Sequence, residues 1–138
     1  MKIYFAGSIS GGREDSAIYL ELINYLQGKG KILTEHIGDA NLSNQGEQDI
    51  SRKEIHERDM SWVLEADVIV AEVTKSSLGV GYEIGRALEN GKKILCLYRP
   101  HEGKILSAMI EGSKKLTVKN YQTIEEAKEI IDEFFSKI

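Results

Sequence analysis

Cysteine, basic surplus and long apolar runs are all scarce in this sequence, and each scarcity excludes something. Cys96 is the only cysteine, so no disulfide forms within the chain. The longest apolar stretches, such as 68–71 and 94–98, are strand-length and far short of the ~20 residues a membrane-spanning helix needs. The opening MKIYFAGS lacks the charged-then-apolar plan of a secretory leader. These features predict a protein of the reducing cytoplasm with no membrane partner. The chain sets 18 Lys+Arg against 22 Asp+Glu, a formal charge of −4. Duplex nucleic acid, which favours a basic face, is therefore a poor fit, whereas a small anion needs only a few local donors. Metal-ligand spacing is missing too: His36, His56, His101 and Cys96 are scattered, and HERDM is not H-E-x-x-H. Neither a metal nor a cofactor is expected.

What is present is a regular alternation. A length of 138 residues without linker, repeat or low-complexity tract predicts one domain spanning 1–138. Apolar runs at 3–6, 31–34, 67–72, 93–98 and 116–119 read as strands. Helical spacing covers about 14–27, 50–65, 80–89, 104–111 and 123–136. Thr123 and Glu126 form a plausible capping box for the last helix. DVIVAE at 67–72 is apolar without alternation, as expected of a strand buried on both faces. The β-α alternation predicts an α/β domain with a five-stranded parallel sheet and helices on both faces. Right-handed crossovers favour a flavodoxin-like, Rossmann-like order 2-1-3-4-5. Ligands of such sheets sit beyond the carboxyl ends of the strands where the winding reverses, here between strands 1 and 3. The two loops there, 7–12 and 74–81, are rich in Gly and Ser.

Several residues in this crevice carry chemistry. Loop 7–12 opens a helix, so its backbone N–H groups suit a phosphate; it reads equally as a tight turn. It is neither G-x-G-x-x-G nor a Walker A loop. Glu83, expected in the first turn of helix 3, is either a carboxylate favoured by the helix dipole or a reactive group. Gly79 and Gly81 beside it would admit a ligand close to the backbone. Asp59 falls on the stripe of Ile55, Trp62, Val63 and Ala66. A carboxylate there is costly unless paired, or it is a partly buried acid facing the crevice. Two carboxylates flanking a pocket are the usual apparatus of glycosidic cleavage. Tyr4 is either core or a hydroxyl aimed into the crevice, and His36 either stacks on a base or closes a turn. His56 and His101 read as surface residues and Cys96 as a buried small hydrophobe.

The stretches YFAGSISGGRED (4–15), LTEH (33–36), IHERDMSW (55–62), ADVIVAEVTKSSLGVGYEIGRA (66–87), ILCLYRP (94–100) and LSAMI (106–110) run in order over nearly the whole chain. Together they closely resemble the 2′-deoxynucleoside 5′-phosphate N-hydrolases of the nucleoside 2-deoxyribosyltransferase superfamily. The resemblance implies cleavage of the bond between base and deoxyribose in a deoxynucleoside 5′-monophosphate, through a covalent glycosyl-enzyme. It makes Glu83 the nucleophile. Asp59 would orient Glu83 and the sugar and be the candidate acid for the leaving base, and Tyr4 would hydrogen-bond near the reacting centre. The 5′-phosphate would lie among Gly7, Ser8, Ile9, Ser10, Gly11, Gly12 and Arg13, joined by Ser77 and Gly79, with His36 beside the base. Ser107, with Ala108 and Met109, would reach that phosphate from the other subunit of a homodimer. The pattern departs at Ser10, where relatives carry Arg after GSI. Two related activities remain as alternatives: a deoxyribosyltransferase, or a ribonucleotide (CMP-type) N-glycosidase. A non-catalytic nucleotide-binding module is a third, although it would need neither Glu83 nor Asp59.

Overall fold

The run VIVAE is buried at all five positions and lies at the centre of a sheet, as its unbroken apolarity predicts. The computed structural model describes residues 1–9, 15–34 and 46–138. Its strands are β1 (Lys2–Ala6), β2 (Lys31–Ile32), β3 (Val68–Glu72), β4 (Lys93–Tyr98) and β5 (Thr117–Asn120). The helices are α1 (Ser16–Leu26), α2 (Arg52–Glu65), α3 (Leu78–Glu89), α4 (Ala108–Glu111) and α5 (Ile124–Ser136). All pairings are parallel, in the expected order β2-β1-β3-β4-β5.

Strand alternation divides the core into two layers. Ile3, Phe5, Val68, Val70, Leu95 and Leu97 face α1 and α5, whereas Tyr4, Ala6, Ile69, Ala71, Ile94 and Cys96 face α2 and α3. The register Ile3↔Val68 and Tyr4↔Ile69 puts equivalent positions of β1 and β3 on the same side. Tyr4 is thereby committed to the α2/α3 layer.

Among the boundaries that differ from the sequence expectation, three have a clear local reason. β2 stops at Ile32 because Thr34 replaces ladder pairing with its side chain. Its hydroxyl accepts from the Phe5 N–H at 2.8 Å and donates to the Phe5 carbonyl at 2.6 Å. α3 begins at Leu78 rather than 80, because the Ser77 hydroxyl caps it by accepting from the Val80 N–H at 3.2 Å. That cap offsets the helix-weakening glycines at 79 and 81. The segment from 104 is not helical until Ala108, where Ser107 caps a single turn. α2 carries a full capping box, Ser51 with Glu54, that the sequence reading did not single out. At α5 the Thr123 hydroxyl accepts from the Glu126 N–H at 3.2 Å, as expected.

Candidate active site

β1 carries Tyr4 to the α2/α3 side of the sheet, and there its hydroxyl donates to Glu83 Oε2. Tyr4 is 1% exposed. Its two expected readings are met together: the ring is part of the core, and the hydroxyl reaches the Glu83 carboxylate. With α3 starting at Leu78, Glu83 stands in the second turn, not the first, and no acidic residue occupies the first turn. The dipole explanation for Glu83 therefore weakens, since that stabilisation fades beyond the first turn. Glu83 keeps a partly exposed edge. Burial nonetheless pushes its carboxyl up to about 7, the negative charge of Asp59 adds to the rise, and the hydrogen bond from Tyr4 opposes it. The Tyr4 hydroxyl is itself raised well above its ordinary range, first by burial and then by the charges of Glu83 and Asp59. It is a proton donor at any physiological pH.

Asp59 lies on the neighbouring face of α2, with 20% of its side chain exposed. Arg58, which the sequence reading passed over, organises it. Its Nε donates to Asp59 Oδ1 at 3.0 Å, and its two terminal nitrogens grip Glu47 at 2.8 and 2.6 Å. The guanidinium also lies over the Trp62 ring, 4.6 Å from the centroid. The signal was available: Arg58 and Trp62 are spaced i, i+4 in HERDMSW, so they share a helical face. One ion-paired carboxylate and one carboxylate titrating near neutrality thus stand beside a tyrosine donor. That is the division of environments that separates roles in a two-carboxylate site.

The expected phosphate-binding residues are brought together only in part. Gly7 has a packing reason to be glycine: a Cβ there would lie 3.1 Å from the Tyr19 ring. The Ser8 N–H donates to the Tyr19 hydroxyl at 3.2 Å, so that donor is engaged inside the fold. Ser8 is fully buried, and Ile9 packs against the α1/α5 core. Ser10, Gly11, Gly12, Arg13 and His36 lie outside the described residues. Ser77 caps α3, with Gly79 exposed beside it. Ser107, Ala108 and Met109 are exposed; Ser107 and Met109 line a cavity of about 680 Å³ between α3 and the 105–110 segment. That cavity includes Ser77 but none of Tyr4, Asp59 or Glu83, because Gly81, Ile84, Gly85 and Leu88 line it from another side of α3. It is mostly apolar and no carboxylate lines it. His56 and His101 are exposed, as expected, though His56 also meets the Tyr82 hydroxyl at 3.0 Å. Cys96 is fully buried, and burial pushes its thiol up to about 12. Among the described residues, no cluster of His, Cys, Asp and Glu is arranged to hold a metal, and no helix is long and apolar enough to cross a membrane.

Residues 3–131 match the profile of the family described as nucleoside 2-deoxyribosyltransferase. The chain is 49% identical over 141 residues to the 5-hydroxymethyl-dUMP N-hydrolase of Danio rerio, covering 100% of this chain and 98% of the relative. It is 46% identical to the Homo sapiens protein of the same name, covering 96% of this chain and 78% of that one. Among solved structures, a CMP N-glycosidase of Clostridium botulinum superposes with a TM-score of 0.71 at 21% identity, over 97% of this chain and 99% of that one. BlsM superposes with a TM-score of 0.75 at 22% identity, over 99% and 90%. These two establish the shared fold.

Proposed function

The chain belongs to the nucleoside 2-deoxyribosyltransferase family, and from that premise we propose that it is an N-glycosidase that hydrolyses 2′-deoxynucleoside 5′-monophosphates. The products are the free base and 2-deoxyribose 5-phosphate. The observation that carries this reading is the Tyr4–Glu83–Asp59 cluster at the carboxyl edge of the sheet. The names of the Danio rerio and Homo sapiens relatives point to 5-hydroxymethyl-dUMP as the substrate to test first.

The steps follow from the residues. The Glu83 carboxylate attacks C1′ on the face opposite the base, forming an ester while the C1′–N bond breaks. The base leaves with that electron pair and takes a proton from solvent. A 2′-deoxy sugar lacks the hydroxyl that would withdraw electrons from the reacting carbon, so positive charge develops there readily. The Tyr4 hydroxyl steadies Glu83 as nucleophile and as leaving carboxylate. Water then attacks C1′, Asp59 accepts its proton, and Glu83 is released. Splitting the displacement in two lowers each barrier. Binding the 5′-phosphate holds the sugar against Glu83, so remote binding energy serves orientation.

The site is completed across a homodimer. Leu78, Ile105 and Met109 are 96%, 94% and 82% exposed, and with Ser107 they border the apolar cavity beside α3. Apolar side chains this exposed around one groove mark an association surface, and a second copy offers the same self-complementary patch. Ser107 of one subunit then reaches the phosphate of the other. A cytoplasmic setting fits the single buried thiol.

The test is direct. The protein is incubated with 5-hydroxymethyl-dUMP, the common deoxynucleoside monophosphates and CMP, and base release is followed by chromatography. Release from the deoxy substrates is expected; no release from any of them overturns the assignment. A second base added to the mixture reveals transfer if a new nucleotide appears. Sedimentation should give a dimer, and full substrate affinity in a strictly monomeric protein would end the shared-site reading.

A further inference from the structure

Behind the crevice, on the α1/α5 side, lies a buried polar network that the proposed chemistry does not use. Glu72 closes the apolar run of β3 and is fully buried. A carboxylate there is tolerable only if its oxygens are satisfied. The Thr74 N–H and the Thr74 hydroxyl donate to its two oxygens at 2.8 Å each, and the Tyr121 hydroxyl donates to Oε2. Arg99, the residue after β4, joins the group. Its Nη1 lies 3.9 Å from Glu72 Oε2 and donates to the Tyr121 hydroxyl at 3.3 Å. Its backbone N–H donates to Thr74 Oγ1 at 2.9 Å, and its Nη2 pairs with Asp15 Oδ1 at 2.9 Å.

Asp15 supplies the decisive detail. It is the N-cap residue of α1, yet its side chain makes no capping hydrogen bond. An aspartate in that position ordinarily accepts from the first turn, worth about 1 kcal/mol. Here the carboxylate is turned to Arg99 instead, so helix stability is given up for a tie between distant segments. That tie joins two points. The first strand-to-helix connection, which starts with Gly7, Ser8 and Ile9, arrives at Asp15. The 74–77 connection, which ends in Ser77, departs from Thr74. These are the two connections between which the family resemblance puts the 5′-phosphate.

We infer that Arg99, acting through Asp15 and through the Glu72–Thr74 pair, is a positioning residue that sets the spacing of the two connections and hence the fit of the substrate's phosphate. The inference rests on the phosphate assignment made above. It predicts a sign that other roles do not share. Removing the Asp15 charge near a bound phosphate would, by Coulomb repulsion alone, tighten binding. Loosening the tie weakens it. A purely structural role would lower folding stability without separating KM from kcat.

Asp15→Asn is the decisive variant, because Asn caps a helix start as well as Asp does and only the ion pair is lost. The expected result is a KM for the deoxynucleoside monophosphate raised about tenfold with kcat retained. The inhibition constant of inorganic phosphate should rise in parallel. An unchanged or lowered KM, or a loss shared equally by kcat, overturns the inference while the hydrolase reading stands. If the wild-type protein hydrolyses no monophosphate, the hydrolase reading falls. Calorimetric titration with inorganic phosphate then decides the inference by itself: weaker binding by Asp15→Asn supports it, and equal binding, or none by the wild type, overturns it. Should Asp15→Asn lower the melting temperature sharply, Tyr121→Phe serves instead. It touches neither connection and must raise KM in the same direction; an unchanged KM is fatal.

Discussion

At the carboxyl edge of the sheet, each face carries a tyrosine hydroxyl donating to a glutamate: Tyr4 to Glu83 on the α2/α3 side and Tyr121 to Glu72 on the α1/α5 side. The two pairs share their chemistry and differ in company. Glu72 also receives the N–H and hydroxyl of Thr74 and has a guanidinium 3.9 Å away. Glu83 receives one hydrogen bond among the described residues, and its charged neighbour is another carboxylate, Asp59. Burial raises the pKa of both, but at Glu72 three hydrogen bonds pull against it. Each hydrogen bond to a charged group contributes about 1.5–3 kcal/mol, so three of them fix a carboxylate in place. A nucleophile needs an oxygen lone pair that the protein leaves unused. Donor number, not residue type, separates the anchor from the proposed nucleophile.

The sharpest way to break this contrast is to neutralise each glutamate. Glu83→Gln should lower kcat by about a thousandfold or more with nucleotide still bound. Glu72→Gln should keep kcat within about tenfold and show its cost in KM and in stability, near 2 kcal/mol on the scale of ~1–3 for a disrupted buried group. Near-normal turnover by Glu83→Gln would remove Glu83 from the mechanism. Next in size are the tyrosines. The Tyr4 hydrogen bond favours the ionised form of Glu83, so its loss in Tyr4→Phe should move the acid limb of the kcat/KM profile upward from about 7. Tyr121→Phe should leave that limb where it is. Asp59→Asn works the other way: removing a like charge should move the limb down, while turnover slows because the second step loses its base. An unmoved limb in both variants would mean that Glu83 does not govern the profile.

The sequence displayed the first face far better than the second. Strand order followed from the β-α alternation, and the Asp59 stripe from helical spacing. Tyr4 was ambiguous because a single strand does not reveal which face its odd and even positions take. The pairing Tyr4↔Ile69 decides that. The sequence puts Glu83 a turn too early because Gly79 and Gly81 make the helix start look late, while the Ser77 cap carries it back to Leu78. The second face was invisible for a different reason. Arg99 and Asp15 are 84 residues apart, and Tyr121 and Glu72 are 49 apart, so no local pattern announces either contact. Glu72 gave one hint, a charged residue ending an otherwise apolar central strand. Its partners are set only when the sheet order brings the ends of β3, β4 and β5 beside the start of α1.

The last expected effect, and the most specific, is a gain in stability on neutralising the proposed nucleophile. In the unfolded chain Glu83 titrates near 4.5, and in the fold at about 7. Below 4.5 both states are protonated, and the carboxyl contributes its full stability. As pH rises toward 7 the unfolded chain ionises first, and that contribution is lost. Glu83→Gln cannot ionise. It should therefore match the wild type at pH 4 and melt several degrees higher at pH 8, the partly exposed edge of Glu83 trimming the full linkage. Glu72→Gln should melt lower at both pH values, because an amide nitrogen cannot accept the hydrogen bonds that the Thr74 and Tyr121 hydroxyls give to Oε2, whereas its raised pKa alone would favour the variant at pH 8. Carboxylates elsewhere, such as Glu65 and Asp132, whose ion pairs hold them below their usual range, weaken every variant alike at low pH and cancel from the comparison. Calorimetry of the three proteins at the two pH values measures it. A Glu83→Gln protein no more stable than wild type at pH 8 would mean that Glu83 carries no desolvation penalty, and the distinction between the two tyrosine–glutamate pairs would lose its energetic basis.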